Sequence, residues 1–172
     1  VKSLFIDYRH FDAANIAPRF EFGFGLSYTQ FKYDKLSTSL NVVDKTDVDS
    51  PVWANWTAGT PVSQSSTQPW LHRIAVNVTF TVQNVGGVAG TEIPQLYLHY
   101  PPNSGEPPSV LRGFNDVDLQ PGETKTVLIT LSRFDLSTWD VPNQAWMRVK
   151  GTYSVSVGAS SRDFRLKGTI PL

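Results

Sequence analysis

The chain reads as an all-β protein, an immunoglobulin-like antiparallel β-sandwich, on three observations. Apolar residues recur at every second position in several short stretches, turn sequences rich in Gly, Pro and Asn separate those stretches, and no long stretch carries the 3.6-residue apolar period of a helix. A length of 172 residues is enough to bury a sizeable core. It suits one domain with an appended arm, residues 1–29 forming the arm and 30–172 the sandwich.

Within the arm, the segment Arg19 to Thr29 reads RFEFGFGLSYT and sets Phe20, Phe22 and Phe24 at a spacing of two, opposite Glu21, Gly23 and Gly25. An extended strand would place the three rings on one face and leave the other stripped for close backbone approach. The preceding FIDYRHFD adds Phe5, Tyr8 and Phe11. Such a ribbon expects a partner. Phe31 to Asn41 is the first strand expected in the sandwich proper.

Residues 43–71 break the rhythm. They are rich in Ser, Thr, Pro and Asp yet hold Trp53, Trp56 and Trp70. Structureless loops beyond about 12–15 residues are uncommon in compact domains, and three tryptophans argue against plain disorder. The segment is expected to lie on a surface. Its tryptophans either anchor it against the sandwich or against other domains, or present flat faces to sugar rings.

From Arg73 the alternation is strict: Ile74, Val76, Val78, Phe80 and Val82 face one way, with Ala75, Asn77, Thr79, Thr81 and Gln83 opposite. Asn84-Val85-Gly86-Gly87 is the turn, where Gly can take a positive φ. Leu96, Leu98 and Tyr100 then share a face, with Pro94 ahead of them and Gln95, Tyr97 and His99 opposite. Val110 to Leu119, Val127/Ile129/Leu131, Tyr153/Val155/Val157 and Phe164/Leu166 complete about seven strands. Turns are expected at Gln120 to Glu123 and Gly158 to Ser161, and a short helical turn at Phe134 to Trp139, with Asp135 or Ser137 as its cap.

Fifteen basic residues balance fifteen acidic ones without a clustered run, so nucleic acid and anionic membranes have no electrostatic reason to bind. No apolar run approaches the roughly 20 residues of a membrane span. The absence of cysteine excludes disulfides and thiolate metal sites without choosing a compartment. Two sequons, Asn55-Trp56-Thr57 and Asn77-Val78-Thr79, point to glycosylation on a secretory, extracellular route. There is neither a leader pattern nor an initiating Met, so Val1 is expected to be a boundary within a longer chain.

The arm motifs, together with EIPQLYLHYPP (Glu92 to Pro102), SVLRGFNDVDLQPGETKTV (Ser109 to Val127), FDLSTWD (Phe134 to Asp140) and GTYSVSVGASS (Gly151 to Ser161), resemble the C-terminal region of fungal β-glucosidases of glycoside hydrolase family 3, which ends in a fibronectin type III-like domain. The resemblance covers nearly the whole chain except residues 43–71. It implies a parent enzyme with a (β/α)8 barrel first, an α/β sandwich second and this β-sandwich last. Such a parent removes terminal β-D-glucosyl units with retention, in the breakdown of cellobiose and cellulose. The aspartate nucleophile and the glutamate acid/base would both lie upstream of Val1, so the resemblance assigns no catalytic residue here. It implies instead that residues 1–29 dock on the upstream catalytic domains through Phe5, Tyr8, Phe11, Phe20, Phe22 and Phe24.

The residues themselves offer little competing chemistry. A retaining glycosidase needs two carboxyl groups about 5–5.5 Å apart, and Glu21, Glu92, Glu106 and Glu123 sit in unrelated settings. Asp116 and Asp118 share a strand face and read as solvated carboxylates. Gly25-Leu26-Ser27-Tyr28-Thr29 lacks the final glycine of a nucleophile elbow, and Gly23-Phe24-Gly25 lacks the third glycine of a dinucleotide loop. His10, His72 and His99 are too scattered for a metal, and Asp44, Asp47 and Asp49 lack the EF-hand spacing. No cofactor and no metal is expected. Three roles remain: a stabilising domain of a secreted β-glucosidase, a module adhering to polysaccharide or lignin through Trp53, Trp56 and Trp70, or an independent adhesion-type domain. If isolated, the aromatic arm is expected to drive self-association or to disorder.

Overall fold

A computed structural model describes residues 4–41, 58–102 and 104–172. The described elements in chain order are helix α1 (Tyr8–Ala13), β1 (Phe31–Leu40), β2 (Pro61–Ser63), a 3-10 turn (Pro69–His72), β3 (Ile74–Asn84), β4 (Gly90–Glu92), β5 (Gln95–His99), β6 (Val110–Phe114), β7 (Val117–Leu119), β8 (Thr124–Ser132), β9 (Ser137–Asp140), β10 (Ala145–Arg148), β11 (Ser154–Gly158) and β12 (Phe164–Thr169). Every strand pairing among the described residues is antiparallel.

Two sheets, β1-β3-β8 and β12-β11-β5-β6, enclose one core; smaller sheets β2-β10-β9 and β4-β7 complete the set. The strict alternation of β3 explains its central place: Val76, Val78, Phe80 and Val82 are fully buried between the sheets and meet Leu96, Leu98, Val155 and Val157 in the same cluster. Burying a side chain of this size contributes about 1.5–3 kcal/mol, so β3 alone supplies a large share of the drive to fold. β1 follows β3 until Asp34, where Lys35 at φ 56 inserts one extra residue before Ser37 pairs with Thr79. This bulge turns Leu36 toward the core and brings Thr38 to β12, where its hydroxyl donates to the Thr169 carbonyl at 2.7 Å.

Three sequence-based expectations change. The turn after β3 has glycines, but neither Gly86 nor Gly87 takes a positive φ. Gly86 is there for space, since a Cβ would come within 2.2 Å of the Thr29 hydroxyl. The segment Phe134 to Trp139 is not a helical turn: a hydrogen-bonded turn occupies residues 133–136, and Ser137 already begins β9. Asp135 accepts from the N–H and hydroxyl of Ser132 and holds that turn from its preceding strand.

The third change concerns residues 43–71. Trp53, Trp56, Asn55, Asp44, Asp47 and Asp49 lie outside the described residues. From Ala58 onward the chain is integrated in the fold, through β2 and then a 3-10 turn that drives Trp70 and Leu71 into the core. Trp70 is only 7% exposed, and its carbonyl accepts from the buried Arg133 guanidinium, whose centre lies 5.7 Å from the indole ring. A ring with no open face cannot stack on a sugar, so Trp70 is a core residue and not a carbohydrate contact. Trp146 packs at the core margin between Phe134 and the more exposed Trp139.

Candidate docking face of the N-terminal arm

The alternation of β5 should leave Gln95 and Tyr97 facing solvent, opposite Leu96 and Leu98. Yet Tyr97 is 0% exposed. The arm covers it. Tyr8 of α1 meets Tyr97 edge-on at 6.0 Å and Phe164 of β12 closes the other side at 5.3 Å, while the Tyr97 hydroxyl donates to Gln95 Oε1 at 2.6 Å. The Tyr8 oxygen accepts from the Leu111 N–H of the edge strand β6 at 2.8 Å, and burial raises its pKa, keeping the phenol protonated.

The arm bends where a strand was expected. Gly23 has φ +79, the sign that the third position of a type II turn demands, and the Phe24 N–H donates to the Glu21 carbonyl at 3.1 Å. The turn splits the aromatic trio: Phe20 and Phe24 stack on each other at 5.5 Å, while Phe22 swings back to stack on Tyr8 at 4.6 Å. Alternation alone gives the strand; the positive φ of one glycine overrides it. Tyr8 and Phe22 therefore spend a ring face on each other, and Tyr8 also packs on Tyr97 of the chain's own sandwich, a correction to the expectation that both rings serve contact with another domain.

Polar bonds hold the arm in this seat. Gln95 Nε2 donates to the Gly23 carbonyl at 3.0 Å and to Ala159 O at 2.8 Å, and the Ser161 N–H donates to Phe22 O at 2.9 Å. Arg162, in the turn between β11 and β12, gives Nε to Asp12 at 2.9 Å and Nη2 to the Ile16 carbonyl at 2.8 Å. The Ser160 hydroxyl donates to Glu21 Oε1 at 3.1 Å. One layer of the arm thus belongs to the sandwich.

The other layer has no cover. Phe11, Phe20, Phe22 and Phe24 each retain exposed ring, Phe20 at 64%, and beyond the turn Leu26 is 91% and Tyr28 100% exposed. Phe5 is half-buried. An apolar hollow of about 200 Å³ opens among Tyr8, Phe11, Pro18, Phe20 and Phe22, with Asp12 and Arg162 at its rim. Leu26 and Tyr28, whose exposure exceeds that of any aromatic singled out by spacing, continue the same spacing of two beyond Phe24 without a phenylalanine to mark it; their signal is that continued alternation within a charge-free run from Phe22 to Thr29. Asn77 stands on the outer side of β3, between Ser39 and Thr130 in register, and is half-buried.

Among the described residues, the polar groups nearest the arm are held in structural bonds. The Ser27 hydroxyl accepts from the Thr29 N–H at 3.2 Å, a local turn bond. Glu92 is held in a structural cluster, accepting from the Tyr33 hydroxyl at 2.7 Å beside Arg165 at 3.5 Å. Asp118 accepts from the Thr91 hydroxyl. Among the described residues no group of three His, Asp or Glu side chains could hold a metal ion. What the arm offers is a surface.

Comparison with known proteins places the chain among its relatives. Residues 92–161 match the fibronectin type III-like domain family. The chain carries a fibronectin type III-like domain of the glycoside hydrolase family 3 β-glucosidases. A β-glucosidase of Pyricularia oryzae is 45% identical over 172 residues, which is 98% of this chain and 22% of the relative. The crystal structure of a β-D-glucoside glucohydrolase from Trichoderma reesei matches 98% of the chain at 40% identity with a TM-score of 0.83, over 22% of its own length. A glycoside hydrolase family 3 β-glucosidase from Neurospora crassa matches 97% at 28% identity with a TM-score of 0.79. The chain therefore spans about a fifth of the length of the relatives it matches, and the match includes the arm as well as the fibronectin type III-like sandwich.

Proposed function

We propose that this chain is the noncatalytic C-terminal domain of a secreted β-glucosidase that removes terminal β-D-glucosyl units. Its work is to fix the orientation of the upstream catalytic domains. The observation that carries this reading is the two-layered arm: its inner layer is bonded to the sandwich, and its outer layer leaves Phe11, Phe20, Phe24, Leu26 and Tyr28 exposed. A contiguous apolar surface of this kind marks an interaction site. The relatives, named as β-glucosidases, supply most of their length beyond the matched segment, which is the natural cover. The catalytic carboxylates would reside in that remainder.

Each ring moved from its present exposure to full burial contributes about 1–2 kcal/mol, and interdomain contacts of this type typically bury roughly 600–1,500 Å². The test is the full-length enzyme carrying Phe20→Asp with Phe24→Asp. The reading requires a fall in the melting temperature of the catalytic domains and a shorter half-life of aryl β-glucoside hydrolysis on warming. Unchanged thermal inactivation in the double variant would remove it.

A further inference from the structure

We infer that the loop from Asn84 to Gly90 is a second contact of the same docking face, and that the upstream part of the polypeptide covers Leu26, Tyr28, Val85 and Val88 as one apolar patch. This rests on the docking reading above and extends it from the arm onto the sandwich itself.

The patch is continuous because the end of the arm lies against the loop. The Val85 N–H donates to the Gln30 carbonyl at 2.8 Å, and Gly86 is packed so closely on Thr29 that a Cβ would not fit. Tyr28 and Leu26 are almost wholly exposed on one side of this seam, and Val85 and Val88 are exposed on the other. Neither Phe22 to Thr29 nor Asn84 to Thr91 contains a charged residue, in a chain with thirty of them (15 basic and 15 acidic). Depletion of charge around exposed aromatic and aliphatic side chains is the mark of an interface centre, not of a solvated loop.

The loop is also built to hold its shape. Asn84 is fully buried and uses its whole carboxamide: Nδ2 donates to Val88 O at 2.8 Å and Leu119 O at 3.1 Å, and Oδ1 accepts from the Gly86 N–H at 3.0 Å and the Thr29 hydroxyl at 2.6 Å. One side chain thus locks both halves of the patch together before any partner arrives, which lowers the ordering cost of association. The occupant is the remainder of the same polypeptide, since the patch continues the arm's outer layer and the relatives carry most of their length outside the matched segment.

The experiment places p-benzoylphenylalanine separately at Phe20, Val88 and, as a control, Asn143 in the exposed turn between β9 and β10 of the full-length enzyme. Cross-linked peptides are then mapped by mass spectrometry in variants that retain hydrolysis. Intramolecular cross-links to upstream sequence from both Phe20 and Val88, but not Asn143, are expected. Cross-links from Phe20 alone would overturn this inference and leave the docking reading standing; none from either position would remove both. Cross-links from Val88 only between two enzyme molecules would assign the patch to a second copy and overturn the inference.

Discussion

The hydroxyl of Thr29 donates to the side-chain oxygen of Asn84 at 2.6 Å, joining the last residue of the arm to the buried end of the central strand β3. The two residues are 55 apart in sequence, so the bond is a tertiary decision and not a local one.

Asn84→Ala leaves two carbonyls, one N–H and the Thr29 hydroxyl without their partner. Unmade buried hydrogen bonds cost about 1–3 kcal/mol each at most and relax in part, so the net loss is expected at about 2–4 kcal/mol. At this chain length that lowers the melting temperature by about 5–15 °C. Asn84→Asp should be no better, because it turns an acceptor toward the Val88 and Leu119 carbonyls. Differential scanning calorimetry showing either variant within 1 °C of the parent would contradict the role of this node.

Tyr8→Phe keeps the ring stack on Phe22 and removes the oxygen that receives the Leu111 N–H. A loss of about 1–2 kcal/mol in urea unfolding is expected, with faster hydrogen exchange at the Leu111 amide. A protected Leu111 amide in the variant would show that the arm does not seat on β6.

His99 sets a pH dependence. Burial, and then the nearby Lys167, lower its pKa below the ordinary value of about 6.5, while its bond to the Pro108 carbonyl acts the other way. Pro108 O can only accept, so Nδ1 carries the proton and Nε2 accepts from the Ser156 hydroxyl at 2.8 Å. The unfolded chain binds the extra proton more readily, so this contribution is complete above about pH 6.5 and is lost as pH falls through the depressed folded value. Chemical unfolding between pH 7.5 and 5 should show a slope that His99→Gln flattens; an unchanged slope would assign it to other groups.

The isolated chain should associate through its bare outer layer. Sedimentation velocity is expected to show concentration-dependent dimers or larger species, suppressed by Phe20→Asp with Tyr28→Asp. A monomer at all concentrations would mean that these rings find cover within the chain.

Asn77 and Thr79 project from the same side of β3, as a spacing of two on a strand requires. Secretion from a yeast host should add a glycan that peptide N-glycosidase removes and that Asn77→Gln abolishes. An unmodified Asn77 peptide in the secreted protein would remove the site.

The sandwich was legible where a strand is long: β3 announces itself through the alternation of Val76, Val78, Phe80 and Val82, although the register shift between Ile74 and Val76 leaves Ile74 exposed and buries Ala75 in its place. Strands β2, β4, β7, β9 and β10 have three or four residues each, too few to display a period. The arm was legible as a sticky segment but not in its shape, because one glycine reverses the chain and no alternation can encode that. Of the two readings open for Trp70, the structure takes the anchor on the sandwich and excludes the sugar contact; sequence could not choose between them, because a fully buried partner such as Arg133 gives no sequence signal at all.

The arm's anchors fall on β5 through Gln95, on β6 through Leu111 and on the β11–β12 turn through Ser160, Ser161 and Arg162. A tug on the preceding polypeptide is therefore shared across the breadth of one four-stranded sheet rather than delivered to a single margin. The domain would resist being stripped off strand by strand, and mechanical failure should begin at the tether's own fastenings while the sheet behind them stays whole.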